Sequence, residues 1–124
     1  MPWEATIVEN PNKYVEIIYS GTVSPEELYM ALEKCVLLSK ENNTKLFLAD
    51  LTTMIGGHSV MDLYGLIALF EALKIERDIK EAVIMGPLQD SAEEIRFYET
   101  ACKNRGFNVR IFAEKNKALA WLTS

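Results

Sequence analysis

The chain has 124 residues, 49% hydrophobic and 25% charged, with 13 lysines and arginines against 18 aspartates and glutamates for a net charge of −5. This balance excludes a disordered or collagen-like chain and predicts one domain over residues 1–124, able to build a core without a metal or disulfide staple. The acidic surplus disfavours nonspecific nucleic-acid binding, which needs a basic surface.

Two extended runs open the chain, Ala5 to Glu9 and Tyr14 to Tyr19, separated by the turn residues Asn10-Pro11-Asn12. They predict an antiparallel hairpin. Ser24-Pro25-Glu26-Glu27 then supplies an N-cap, a proline at the first helical position and a glutamate at the third, a helix start that carries on to about Glu41. Leu28, Ala31, Leu32, Cys35, Val36 and Leu38 recur at helical spacing, one face for a sheet. Leu46-Phe47-Leu48-Ala49, ending in Asp50, is an unbroken apolar run of the kind found in a central strand, and Ala82-Val83-Ile84-Met85 before Gly86-Pro87 is another. Between them lies a second helix, Val60 to Ile75; a third follows from Ser91 to Arg105, with Gly106 placed to end it. Asn108 to Ala113 alternates like an edge strand, and a short helix carries Ala118, Leu119, Trp121 and Leu122. The order ββαβαβαβα predicts an α/β fold: five strands in a mixed, mostly parallel sheet, an N-terminal β-hairpin and four helices.

The second helix carries two apolar stripes, Leu63, Leu66, Phe70 and Leu73 on one, Met61, Tyr64, Ala68, Ala72 and Ile75 on the other. Only one can rest on a sheet, so the other meets a neighbouring helix, a second copy in a homodimer, or an apolar small molecule. Gly65, Ala68 and Ala72 would let a partner backbone come close. With three charges in 16 residues the segment does not span a membrane.

In open α/β sheets ligands sit beyond the carboxyl ends of parallel strands: here Asp50 to Ser59, Gly86 to Asp90, and Ala113 to Lys115. Asp50, Thr52, Thr53, His58 and Ser59 gather a carboxylate, hydroxyls and an imidazole there, and Gly56-Gly57 would admit a bound group to the backbone. Ser59 next to His58 is a poor nucleophile pair, since sequence neighbours rarely face each other, and no G-x-S-x-G elbow is present. The plainer roles are Asp50 capping loop amides, Ser59 capping the helix with Asp62, and His58 exposed. A single histidine without soft partners predicts no metal, the missing lysine after Gly56-Gly57-His58-Ser59 argues against a P-loop, and no cofactor is expected. Arg96, Lys103, Arg105, Arg110, Lys115 and Lys117 concentrate basic charge late in the chain, as a solvated face or a docking face for an acidic partner. Cys35 and Cys102 form no redox or zinc motif, and Met1-Pro2-Trp3-Glu4 lacks a secretory signal, so reduced buried thiols and a cytoplasmic location are expected.

The element order and two local motifs make the chain resemble the STAS and SpoIIAA-like superfamily, the fold of bacterial anti-sigma-factor antagonists. Leu48-Ala49-Asp50-Leu51-Thr52 looks like the family strand ending in Asp-Leu-Ser/Thr, and Met61-Asp62-Leu63-Tyr64-Gly65-Leu66 looks like its Asp-Ser-Ser-Gly helix start. The resemblance carries Asp50, Asp62 and Gly65 across. The family's serines fall on Leu63 and Tyr64, so its phosphoserine switch does not transfer; Ser59 is then the best-placed loop hydroxyl for phosphorylation. The long loop before Asp62 and the Ala118-Leu119-Ala120-Trp121-Leu122 segment look like divergent members, some compared with lipid-binding Sec14-type domains. The resemblance implies a non-enzymatic regulatory module that presents Asp50 to Gly65 to a protein partner, with a carrier of a small apolar or lipid ligand as the alternative.

Overall fold

Alternating strands and helices wind into a three-layer α/β/α arrangement in the computed structural model, which describes residues 1–9, 11–86 and 89–124. Along these residues the elements are β1 (Trp3–Val8), β2 (Tyr14–Gly21), α1 (Pro25–Asn42), β3 (Leu46–Met54), α2 (Val60–Ala72), β4 (Lys80–Ile84), α3 (Ala92–Asn104), β5 (Asn108–Phe112) and α4 (Lys115–Leu122). The sheet order is β1-β2-β3-β4-β5. β1 is antiparallel to β2, and every later pairing is parallel. The expected α/β fold, hairpin and edge strand are therefore all present. Asn10 of the expected turn, and Pro87 with Leu88 in the expected loop after β4, lie outside the described residues.

Strand residues of alternate parity face the two helical layers. Val15, Ile17, Phe47, Ala49, Val83 and Val109 pack under α1, α2 and α3, whereas Tyr14, Leu48, Ala82 and Ile84 pack against Ala118 and Leu122 of α4. The start of α1 is fixed as its sequence predicts: the Ser24 hydroxyl accepts from the Glu27 amide (3.2 Å) and Glu27 Oε1 accepts from the Ser24 amide (3.0 Å). Gly106, at φ +83°, follows the end of α3.

β1 and β4 each begin two residues before the expected start, at Trp3 and Lys80, and two boundaries depart further. β3 does not end at Asp50. It continues to Met54, because Asp50 Oδ1 accepts from both the amide (2.9 Å) and hydroxyl (2.7 Å) of Thr52, and Thr53 and Met54 pair with Ser20 and Gly21 beyond a register irregularity in β2. α2 stops at Ala72, short of Ile75: Lys74 turns left-handed (φ 55°), and the Lys74 and Ile75 amides donate back to Glu71 and Phe70. Ile67, assigned to neither stripe, is 1% exposed, and Leu73 is only half-buried.

Candidate functional site

The carboxyl ends of β3 and β4 and the start of α2 meet at one edge of the sheet. Ser59 caps α2 in a reciprocal box, its hydroxyl accepting from the Asp62 amide (3.1 Å) while Asp62 Oδ2 accepts from the Ser59 amide (3.1 Å). Both polar groups are thereby committed to the helix start. His58, expected to be exposed, is buried at 8% exposure, and its Nε2–H donates to the Val23 carbonyl (2.9 Å). The imidazole pins the 55–59 loop to the β2–α1 connection and points away from Ser59's task, so the two do not form a proton relay. Thr53 donates to the Tyr19 carbonyl (2.7 Å), while Asp50 and Thr52 hold each other.

The glycines of the loop serve its neighbours. The Gly56 amide donates to Asp90 Oδ2 (2.9 Å), so that N–H is already taken by a carboxylate. A side chain at Gly57 would collide with Ser91, the residue before α3. Gln89, within the expected Gly86 to Asp90 loop but not singled out there, ties that loop in: its Nε2 donates to the Leu51 (2.8 Å) and Met54 (3.2 Å) carbonyls, and its Oε1 accepts from the Gly86 amide (3.2 Å).

On α2, Tyr29 of α1 lies across Gly65, where a Cβ would strike its hydroxyl, and that hydroxyl donates to the Asp62 carbonyl (2.9 Å). The small residue thus receives a side chain of its own chain. Tyr64 packs edge-on against Phe97 (5.2 Å between centroids) under the Arg105 guanidinium (5.5 Å). Met61, Ala68 and Ala72 of that stripe stay bare, while Ile75 is half-buried against the core. Of eight large hydrophobic side chains exposed among the described residues, four fall within ten positions here: Ile55 (65%), Val60 (39%), Met61 (77%) and Tyr64 (41%). Ala68 and Ala72 continue the exposed strip along α2.

Inside the molecule the sheet holds a group the sequence reading passed over. Glu81 of β4 shares the parity of Val83 and Val109 neighbours and projects among the apolar residues under α1 and α2. Its Oε1 accepts from the Tyr98 hydroxyl (2.6 Å). Burial, opposed in part by that hydrogen bond, pushes the Glu81 carboxyl up to about 7. Cys35 and Cys102 are buried beside it, and burial followed by the Glu81 charge pushes both thiols up to about 12. Neither is a reactive thiolate.

Five of the six late basic residues are engaged within the chain, and Arg96 lines a groove with Glu99 and Ile111. Lys115 pairs with Glu16 (3.0 Å), Lys117 with Glu114 (3.0 Å) and Lys103 with Glu99 (4.0 Å), while Arg105 and Arg110 lie over Tyr64 and Phe112. No described helix is long and apolar enough to cross a membrane.

No protein-family model matches the chain, and no curated protein is similar to it. Solved structures are. An uncharacterised DUF3478-family protein with a SpoIIAA-like fold from Shewanella loihica PV-4 is 20% identical with a TM-score of 0.61, over 97% of this chain and 93% of that one. An anti-sigma factor antagonist from Mycobacterium paratuberculosis is 16% identical with a TM-score of 0.62, over 98% and 95% of the two chains. The chain has the SpoIIAA-like fold.

Proposed function

We propose that the protein is a non-enzymatic regulatory module that docks a protein partner on the end of β3, the 55–59 loop and the first turns of α2. The exposed apolar cluster of Ile55, Val60, Met61 and Tyr64 carries this reading, because solvent-facing Met and Tyr side chains beside a polar rim are the composition of a protein interface. Asp50, Thr52 and Thr53 supply the rim. His58, Ser59, Asp62 and Gly65 act one step back, holding the loop and helix in place through the Val23 bond, the capping box and the Tyr29 contact. Supporting the assignment to regulation, one similar structure is an anti-sigma factor antagonist. Supporting a non-enzymatic role, Ser59 and Asp62 are spent on each other and His58 on a backbone carbonyl.

A homodimer is the second occupant this strip favours, since Met61, Tyr64, Ala68 and Ala72 lie exposed along one side of α2. Phosphorylation at Ser59 would act on the same surface by removing the capping box and setting a phosphate against Asp62. The test is capture from cells that make the protein, with wild type and Met61→Asp as baits and light scattering of each alone. A stoichiometric protein lost with Met61→Asp supports docking. If Met61→Asp captures the same proteins as wild type, the surface assignment fails. A wild-type dimer that Ala68→Glu converts to a folded monomer replaces docking by self-association.

A further inference from the structure

Away from the docking strip, on the opposite side of α2, the packing of α1 and α2 onto the sheet leaves a slot. A cavity of about 40 Å³ lies between Cys35, Phe47, Leu66 and Phe70, and one of about 60 Å³ lies nearer His58. Tyr19, Leu66, Glu81 and Tyr98 wall both. In the other direction Val36, Phe47, Ile75 and Ile79 are shared with a groove of about 250 Å³ at the ends of α1 and α2. The three spaces are thus neighbours through shared walls, the groove open at the surface and the two inner cavities flanking the Glu81 side chain.

That carboxylate is incompletely used. A carboxylate accepts up to about four hydrogen bonds. Among the described residues, Glu81 accepts one, at Oε1 from Tyr98, and its Oε2 has no partner. The other titratable groups facing it are phenols and thiols, Tyr19 from β2, Cys35 from α1 and Tyr98 and Cys102 from α3, each held protonated by burial, with His58 at the far end of the upper cavity. No lysine or arginine lines either inner cavity. A half-buried carboxylate with no cation beside it and one oxygen open to water is complementary to a ligand that brings a cation.

We propose that the slot binds a small apolar amine, its ammonium head meeting Glu81 Oε2 and its hydrocarbon tail lying along Val36, Phe47, Ile75 and Ile79. The inner cavities alone hold only a few waters, so the head displaces solvent and the tail runs outward toward the groove. Formation of the pair requires Glu81 to be ionised. Where Glu81 is protonated beforehand, its proton leaves to the buffer as the ammonium arrives; where it is already ionised, none moves. The groove's rim, with Lys40 and Lys74 beside a Lys45 already paired with Glu76 and Asp78, is the competing feature and would instead hold a carboxylate.

Hexylamine and hexanoate, titrated calorimetrically into the full chain at pH 5.5 and 8.5 in buffers of different ionisation enthalpy, separate these cases. Hexylamine is expected to bind at both pH values, releasing about one proton per site at pH 5.5 and about none at pH 8.5. Glu81→Gln should weaken it about tenfold or more, whereas Tyr98→Phe, which keeps the carboxyl, should retain it. Circular dichroism verifies that both variants are folded. Absence of hexylamine binding, hexanoate binding at least as tight, equal hexylamine affinity in Glu81→Gln, or no proton release at pH 5.5 each overturns the proposal. None of these results bears on the Met61 surface, so this site and the docking reading stand or fall separately.

Discussion

Replacing Glu81 with glutamine should make the protein more stable at alkaline pH and leave it nearly unchanged in acid. The carboxyl sits near 7 in the folded protein against an ordinary glutamate value of 4.5, because burial removes its water and no cation replaces it. Below the lower value both folded and unfolded chains hold the proton, and the group costs nothing. As pH rises between the two, the unfolded chain releases its proton first, so stability falls, and the loss is complete once the folded carboxyl has also ionised. The gap corresponds to about 3 kcal/mol, which for a chain of this size lowers Tm on the order of 10 °C. Glutamine carries no charge, and its amide oxygen can still accept from Tyr98, so its profile should stay flat over the same interval. Urea unfolding of both proteins at half-unit steps from pH 4.5 to 8.5 measures the difference directly. Parallel curves, with no divergence above pH 6, would refute the claim that the carboxyl is held neutral by burial.

Two further predictions concern helix α2 and the turn that follows it. Gly65→Ala should destabilise by about 1 kcal/mol despite alanine's better helix propensity, since its methyl group displaces Tyr29 and breaks the bond to Asp62; in a Tyr29→Ala background the same change should become stabilising, as chemical denaturation of the four proteins would show. Lys74→Gly should raise stability by about 1 kcal/mol, because the residue sits at φ 55° where a side chain is strained, and thermal unfolding checks it.

Much of this architecture is written in short-range chemistry. Ser24 with Glu27, and Ser59 with Asp62, announce two helix starts because the groups that satisfy the first amides lie three residues apart in the chain. Alternation and apolar runs likewise locate the strands. The end of β3 was hidden because Asp50 resembles a strand terminator when considered alone; its carboxylate instead steadies Thr52, and pairing with β2 extends the strand. Glu81 was missed for a related reason. A strand taken to begin at Ala82 leaves it outside, whereas β4 begins at Lys80, and the period of two then places Glu81 inward with Val83 and Met85. His58 and Gly65 depend on partners 35 and 36 positions away in sequence, Val23 and Tyr29, which no local pattern reveals.

The monotonic strand order has a consequence for how the chain is made. Because α1, α2 and α3 all cross on one side of the sheet, they close the front as each successive strand is added. On the reverse side, Leu48, Ala82 and Ile84 wait for α4, whose sequence follows all five strands. A nascent chain released at residue 113 would therefore present a paired sheet with a greasy back, the kind of intermediate that chaperones hold and that sticks to its own copies. Ala118 and Leu122, both essentially inaccessible in the finished fold, are the residues that end this exposure.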